Sequence, residues 1–261
     1  MIYVQGSYCI LNATGRAPQY ERANYYLSRQ LILTRDDRPF GSEIRIKFDD
    51  NQVLSALASF APQTPQLRGI YSQALMQTRR VALSLKNSST VSENQYPSRR
   101  FICLEQSALI DCALSKELIQ CNETLQAFGQ TLVIALNELP LPAVSFTDKK
   151  KILCNLYQLK DHGIEIAFDG FNIYDESSEI LTTLNLFDYI KISISTLDLS
   201  LKLTDNPELF NRLYERMTQQ AHTTKVSFIA DRVEKAASHV LARALPFDYF
   251  QGSHYSPIDN L

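Results

Sequence analysis

The sequence predicts a single α/β domain built as a (β/α)8 barrel, and three observations support this fold class. The chain has 261 residues, an ordinary length for one such barrel. Strand-like and helix-like segments alternate along it, which favours a closed barrel over an open sheet once eight strands are counted. The eight predicted strands are Gln30–Thr34, Glu43–Phe48, Arg100–Leu104, Thr131–Leu136, Ile164–Phe168, Tyr189–Ile194, Lys225–Ala230 and Asp248–Phe250.

The third observation is the short connection between the first two strands. Only eight residues, Arg35 to Ser42, separate them, and Pro39 and Gly41 lie among these. A parallel crossover needs about a dozen residues or more. The first strand should therefore be antiparallel to the second, which an all-parallel barrel would not allow.

Helical patterns fill most of the other intervals. Apolar residues recur every three or four positions from Leu67 to Leu85 and again from Leu114 to Phe128. A further helix is predicted to start at Asp205–Glu208, because Pro207 is favoured in a first turn and an acidic residue there complements the helix dipole. The run Asp148–Lys151 is predicted to be a solvated helix start.

Composition excludes several classes of function. Hydrophobic residues make up 45% and charged residues 21% of the chain, so a large core can form. The net charge of −2 gives no signal for direct nucleic-acid binding. No apolar run approaches the roughly 18 residues of a membrane span, and the N-terminus lacks the pattern of a signal peptide. Five scattered cysteines without CxxC spacing predict reduced thiols and a cytoplasmic protein.

Two regions lie outside the regular alternation. Residues 1–27 are predicted to be an N-terminal extension to a barrel domain of residues 28–261; within it, 20–27 could form a helix and 1–11 could add a strand or bind a partner. Residues 84–98 form a long polar segment. A surface connection is the favoured interpretation of that segment, and a partner-binding lid is the sharper alternative.

Ionisable residues recur where the predicted strands end, which is where a barrel carries its active site. Carboxylate oxygens grouped in this way suit Mg²⁺ or Mn²⁺. Ordinary solvated loop residues or helix caps explain the same pattern, and the pattern alone favours them. Glu43 and Lys191 lie inside their strands, and the strand ends carry Lys47, Glu105, Glu138, Asp169, Ser193, Asp231 and Gln251.

Six segments, in order from Ser28 to Pro257, resemble the bacterial EAL domain family. Each falls on a strand that the patterns above predict, and the family's barrel also begins with an antiparallel pair. The segments are S-R-Q-L-I-L…G-S-E-I-R-I-K-F (28–48), T-L-V-I-A-L-N-E (131–138), G-I-E-I-A-F-D-G-F-N (163–172), F-D-Y-I-K-I-S (187–193), I-A-D-R-V-E (229–234) and F-Q-G…P (250–257). They are similar to the family's G-x-E-A-L-x-R, E-x-T-E, D-D-F-G, K-I-D, E-G-V-E and Q-G…P motifs.

The resemblance implies a phosphodiesterase that hydrolyses cyclic di-GMP to pGpG. In such enzymes two divalent cations, held by carboxylates and an Asn, activate the attacking water. Carried over to this chain, the resemblance implies that several site residues are retained and several are lost. Retained are Glu43, Glu138, Asp169 and Lys191, with Asp231 as a shortened Glu; family ligands are lost at Ala135, Gly170 and Ser193.

Further changes surround these positions. The Leu of the E-A-L triplet is Arg45, the following Arg is Lys47, and the Gly of E-G-V-E is Arg232, whose side chain could enter the site. The strand expected to carry the Asn ends at Leu104-Glu105 without one. Replacing Arg by Lys is not neutral at a site that binds phosphate with two hydrogen bonds.

The sequence therefore predicts a stand-alone, catalytically inactive EAL-like regulator that acts by protein–protein interaction in signalling or in control of gene expression or motility. The vestigial catalytic set is Lys191, Asp231 and Glu43, and the vestigial metal positions are Glu43, Glu138 and Asp169. No cofactor is expected. A transcription regulator or an RNA-turnover factor is the kind of partner the resemblance implies. The alternative is a cyclic di-GMP phosphodiesterase or sensor with an altered site, which would need Mg²⁺ or Mn²⁺.

Overall fold

The alternating segments form a closed barrel of eight strands with helices outside it. The computed structural model describes residues 4–5, 8–9, 20–21, 24–48, 65–87, 97–137, 146–171, 186–195, 197 and 207–261. The strands are β1 Val4–Gln5, β2 Tyr8–Cys9, β3 Tyr20–Glu21, β4 Asn24–Thr34, β5 Pro39–Phe48, β6 Arg99–Glu105, β7 Thr131–Asn137, β8 Glu165–Asp169, β9 Tyr189–Ser193, β10 Ser227–Asp231, β11 Tyr249–Gln251 and β12 Asp259–Asn260. The helices are α1 Pro65–Asn87, α2 Cys112–Gln126, α3 Phe146–Asp161, α4 Pro207–Thr224 and α5 Ala236–Ala244, with a 3₁₀ turn at Gln106–Ile110.

Strands β4 to β11 form the barrel, and β4 is the strand that differs in direction. It is antiparallel to β5 on one side and to β11 on the other, whereas the pairs from β5 through β11 are parallel. A tight turn after Thr34, with Asp37 at φ 57°, reverses the chain between β4 and β5. The short first connection thus produces the antiparallel pair that the sequence predicted, and the predicted fold class is confirmed.

All eight predicted strands are present, with differences at their ends. The largest difference is at β4, which begins at Asn24, six residues before the predicted strand and four before the predicted domain start at residue 28. The predicted helix over residues 20–27 is wrong, because this segment pairs instead: Tyr25 lies opposite Phe48 of β5 and opposite Val4 of β1. β1 therefore adds a short strand from the N-terminal region, as one of the two alternatives for residues 1–11 expected. The boundary at residue 28 itself stays a prediction.

The other predicted helices are also present, and they differ from the prediction in where they begin and end. α1 continues to Asn87, so the polar segment predicted to start at residue 84 begins later, and residues 88–96 of it lie outside the described part of the chain. α3 contains the basic run at 149–151 in its first two turns, as predicted. None of the described helices combines the length and apolar character needed to cross a membrane.

The two ends of the barrel interior differ in their side chains. At the end where the parallel strands begin, Phe40 stacks on Tyr249 with ring centroids 3.7 Å apart. Beside them Glu165 accepts hydrogen bonds from Tyr189 Oη at 2.6 Å and from Arg99 through both carboxylate oxygens at 3.0 Å. This aromatic and ion-paired layer closes that end. A second cluster of charged side chains lies at the opposite end, where the parallel strands finish; we call this end the mouth.

Candidate functional site: an ion-paired barrel mouth

Glu43 of β5 lies at the centre of the mouth and is 1% exposed. Its Oε1 accepts a hydrogen bond from Lys191 Nζ at 2.5 Å. Its Oε2 accepts from Arg45 Nε at 2.6 Å and from Gln251 Nε2 at 2.7 Å. A buried carboxylate is stable only when it is paired and hydrogen-bonded, and both oxygens here meet that condition.

Arg45 connects three strands at the mouth. It lies two residues after Glu43 on β5, so both side chains point to the same face of the strand. Besides contacting Glu43, its Nη2 lies 3.0 Å from Asp231 Oδ2 on β10 and 4.0 Å from Asp169 Oδ2 on β8. One guanidinium therefore contacts carboxylates from three separate strands, which its planar fork of N–H donors allows.

Lys191 is the second cation of the mouth and is fully buried. It lies on β9, and its Nζ is 3.9 Å from Asp169 Oδ2 in addition to its short contact with Glu43. Strand register places it beside Asp169 of β8. The described mouth thus holds three carboxylates, Glu43, Asp169 and Asp231, against two cations.

The two central charges stabilise each other despite burial. Burial raises the pKa of Glu43, but Arg45, Lys191 and the hydrogen bond from Gln251 outweigh it and lower this pKa to about 2. Burial lowers the pKa of Lys191, and the neighbouring Glu43 and Asp169 outweigh it, so this pKa is raised. Asp169 behaves differently: burial, together with Glu43 and Asp231, raises its pKa against the opposing effect of Lys191 and Arg45. Glu43 is therefore ionised, and Lys191 protonated, at neutral pH.

The three positions where the resemblance places lost ligands offer little to a cation. Ala135 is a buried methyl group in the interior layer that also contains Val133 and Phe101. Gly170 has no side chain and a backbone φ of 80°, which disfavours an L-residue there. Ser193 pairs in register with Asp231 and lies 3.1 Å, oxygen to oxygen, from Ser195.

The sequence suggested that Arg232 could enter the site, and the structure places its side chain at the rim of the mouth. Arg232 directly follows Asp231, the last residue of β10. Arg232 has φ 56°, its side chain is 59% exposed, and its Nε lies 3.9 Å from Asp231 Oδ2. Arg45 is the arginine that occupies the mouth, and its alternation with Glu43 was the signal in the sequence that could have identified it.

Two further placements complete the comparison with the sequence. Cys103 is the residue of β6 whose thiol lies among these charges; its burial, with Glu43 and Asp169 nearby, raises its pKa to about 12, so it is a neutral thiol. The strand expected to carry an Asn therefore presents Cys103 to the mouth. Glu138 lies outside the described residues, since the description of β7 ends at Asn137.

The described residues do not fit a pair of divalent cations. Glu43 and Asp231 already accept hydrogen bonds from Arg45, and the one buried acceptor of the mouth without a hydrogen bond among the described residues is a neutral oxygen, Oε1 of Gln251. At an effective dielectric constant of about 20, a divalent cation about 4 Å from the guanidinium would be repelled by about 8 kcal/mol. No group of three or more described His, Cys, Asp and Glu residues has an arrangement suited to a metal ion.

Comparison with known proteins identifies a family and solved structures that share this architecture. The model of the EAL domain family matches residues 19–258. No curated protein matches the chain. Among solved structures, the EAL enzyme Bd1971 in its cAMP- and cyclic di-GMP-bound form superposes with a TM-score of 0.67 at 15% identity, covering 90% of this chain and 62% of that one. This chain therefore spans less than two thirds of the length of Bd1971.

Two other structures are covered more fully. The Xanthomonas citri FimX EAL domain in complex with cyclic di-GMP has a TM-score of 0.62 at 13% identity, over 91% of this chain and 88% of that one. The PaMucR phosphodiesterase in complex with cyclic di-GMP has a TM-score of 0.63 at 16% identity, over 90% and 92%. At these identities the likeness establishes the fold, and the family match covers nearly the whole chain. The chain belongs to the EAL domain family.

Proposed function

We propose that this chain is a catalytically inactive EAL domain that works as a regulator by binding another protein. One observation carries the proposal: the carboxylates retained at the mouth are ion-paired with Arg45 and Lys191. A carboxylate oxygen that accepts a hydrogen bond from a guanidinium has fewer lone pairs left for a divalent cation, and the fixed positive charge repels that cation. The resemblance assigns to such cations the activation of the attacking water.

Loss of ligands supports the same conclusion independently of Arg45. Ala135, Gly170 and Ser193 stand where the family pattern has carboxylates, and two cations close together need most of that negative charge. Ion pairs join Glu43, Asp169 and Asp231 to Arg45 and Lys191, and these two cations offset two of the three formal negative charges. This is little charge with which to attract two divalent ions.

The proposed partner is a protein in signalling, gene expression or motility, and a transcription regulator or an RNA-turnover factor is the class implied by the resemblance to degenerate family members. The net charge of −2 gives no support to direct nucleic-acid binding. Capture from a lysate of the source organism, followed by mass spectrometry, tests this part. An active EAL phosphodiesterase domain of similar size is the matched bait, and a partner enriched with both baits would contradict a role particular to this chain.

The absence of catalysis is tested separately. Purified protein is incubated with cyclic di-GMP and an excess of Mg²⁺ or Mn²⁺, and pGpG is quantified by chromatography beside an intact EAL phosphodiesterase. We expect no pGpG above the blank. Turnover comparable with the intact enzyme would overturn the proposal, and calorimetric binding of cyclic di-GMP without turnover would replace it with a sensor function.

A further inference from the structure

Carboxylates from three strands surround one guanidinium at the mouth. Their negative charges require a cation between them. Glu43, Asp169 and Asp231 lie on β5, β8 and β10, and Arg45 is within 4.0 Å of all three carboxylates. Carboxylates brought together in a poorly solvated site repel each other unless a cation lies between them. Lys191 compensates Glu43 and approaches Asp169, but the described ion pairs do not join it to Asp231.

We infer that Arg45 takes the place of the family's divalent cations as a structural element: its guanidinium holds the carboxylates of three strands together without a metal ion. This inference rests on the proposed loss of the metal-dependent reaction and adds to it a role for the residue that fills the site. The mouth is then assembled permanently, and its stability does not depend on the concentration of any metal.

The geometry of the Arg45 ion pairs fits a structural role and not an incidental surface contact. The Arg45 side chain is 25% exposed, its partners Glu43 and Asp231 are 0% and 4% exposed, and two of its contacts lie within hydrogen-bonding distance at 2.6 and 3.0 Å. By contrast, Arg232 is next to Asp231 in sequence but lies 3.9 Å from it, with a side chain that is 59% exposed. The chain therefore supplies its own control arginine beside the same carboxylate.

Removing Arg45 should make the protein respond to metal ions. Arg45→Leu restores the residue of the family's triplet and leaves the three carboxylates facing an uncharged side chain. We expect its melting temperature in EDTA to fall by about 5–10 °C. Saturating Mn²⁺ should then raise it by about 5 °C, since the cation binds the folded protein and not the unfolded chain.

The experiment compares thermal unfolding of the wild type, Arg45→Leu and Arg232→Leu in EDTA and in millimolar Mn²⁺, followed by circular dichroism. The melting temperature of the wild type should be the same in EDTA and in Mn²⁺. The melting temperature of Arg232→Leu should likewise not change between the two buffers. Should Arg45→Leu fail to fold in EDTA, recovery of its native spectrum on adding Mn²⁺ is the expected result, and Arg45→Gln provides a second, milder variant. An Arg45→Leu protein that gains no stability from Mn²⁺, or that stays unfolded together with Arg45→Gln, would overturn the inference.

The two proposals fail in different ways. Stabilisation of the wild type by Mn²⁺ without release of pGpG would overturn the role of Arg45 and leave the inactive regulator standing. Release of pGpG by the wild type would overturn the proposed function. Titration of wild-type protein with Mn²⁺, followed by electron paramagnetic resonance, tests the role of Arg45 directly, because the inference requires the free-ion signal to persist; the pGpG assay tests the proposed function.

Discussion

Replacing Glu43 by Gln should remove much of the stability of the barrel. The carboxylate accepts hydrogen bonds from Lys191, Arg45 and Gln251, and its exposure is 1%. Glutamine is nearly isosteric, but its amide nitrogen must face at least one of these donors, and the cations Lys191 and Arg45 lose their main counter-charge. The substitution therefore tests the charge at the centre of the mouth without leaving a cavity.

Two estimates of the magnitude agree. The Glu43 pKa is lowered from 4.5 to about 2, which corresponds to about 3 kcal/mol of stability at neutral pH. Breaking a buried ion pair by removing one partner costs about 3–5 kcal/mol. We expect urea unfolding at pH 7, followed by circular dichroism, to show a loss within this range. Asp259→Asn is the matched control, because the Arg29–Asp259 pair is exposed and should contribute less than about 1 kcal/mol.

The stability difference between the wild type and Glu43→Gln should also depend on pH, with a definite sign. Because the native pKa of Glu43 lies below its ordinary value of 4.5, its contribution is complete above that pH and is lost as pH falls from 4.5 towards 2. The difference in unfolding free energy between wild type and Glu43→Gln should shrink across this window and stay constant above it. A loss below about 1 kcal/mol at pH 7 would refute the reasoning, as would a difference that does not change in acid.

Two further predictions concern backbone positions. Arg232 adopts φ 56° with its side chain largely in solvent, so Arg232→Gly should stabilise the protein by about 0.5–1 kcal/mol in thermal unfolding, and any destabilisation would show that its contact with Asp231 matters more than the backbone. A Cβ atom at Gly252 would lie 2.1 Å from the Val233 carbonyl oxygen, so Gly252→Ala should cost about 3 kcal/mol or more in urea unfolding. Its control is Gly69→Ala in α1, where a Cβ has no heavy atom within 4 Å; it should stabilise by about 0.5–1 kcal/mol, and equal effects of the two alanines would contradict the steric argument.

The fold was accessible from the sequence because its determinants are local. Apolar segments of strand length and the short connection from Arg35 to Ser42 specify eight strands and one reversal of direction. The extent of β4 was not accessible. Residues 25–29 extend that strand because β5 pairs with each of them, and a pairing partner is not visible in the composition of a single segment.

The site was predictable in part for a related reason. Sequence placed Glu43, Asp169, Lys191 and Asp231 at one end of the barrel, and the structure brings these four together. The contact between Glu43 and Lys191 joins residues 148 positions apart, so it depends on how the strands are staggered around the barrel, which no local pattern specifies. Arg45 was recognised as a change from the family pattern, but its ion pairs emerged only from the closed barrel.

The reversed direction of β4 has a consequence for how the chain folds during synthesis. β4 and β5 can pair as soon as both have emerged, but on the other edge of β4 the residues Ile32, Leu33 and Thr34 wait for β11. That strand is made more than 200 residues later, so at usual translation rates the interval is about 10–40 s. Throughout it an apolar strand edge has no permanent neighbour and could pair with another chain. Such long-range closure makes folding slow and gives chaperones that shield exposed strands a defined segment to protect.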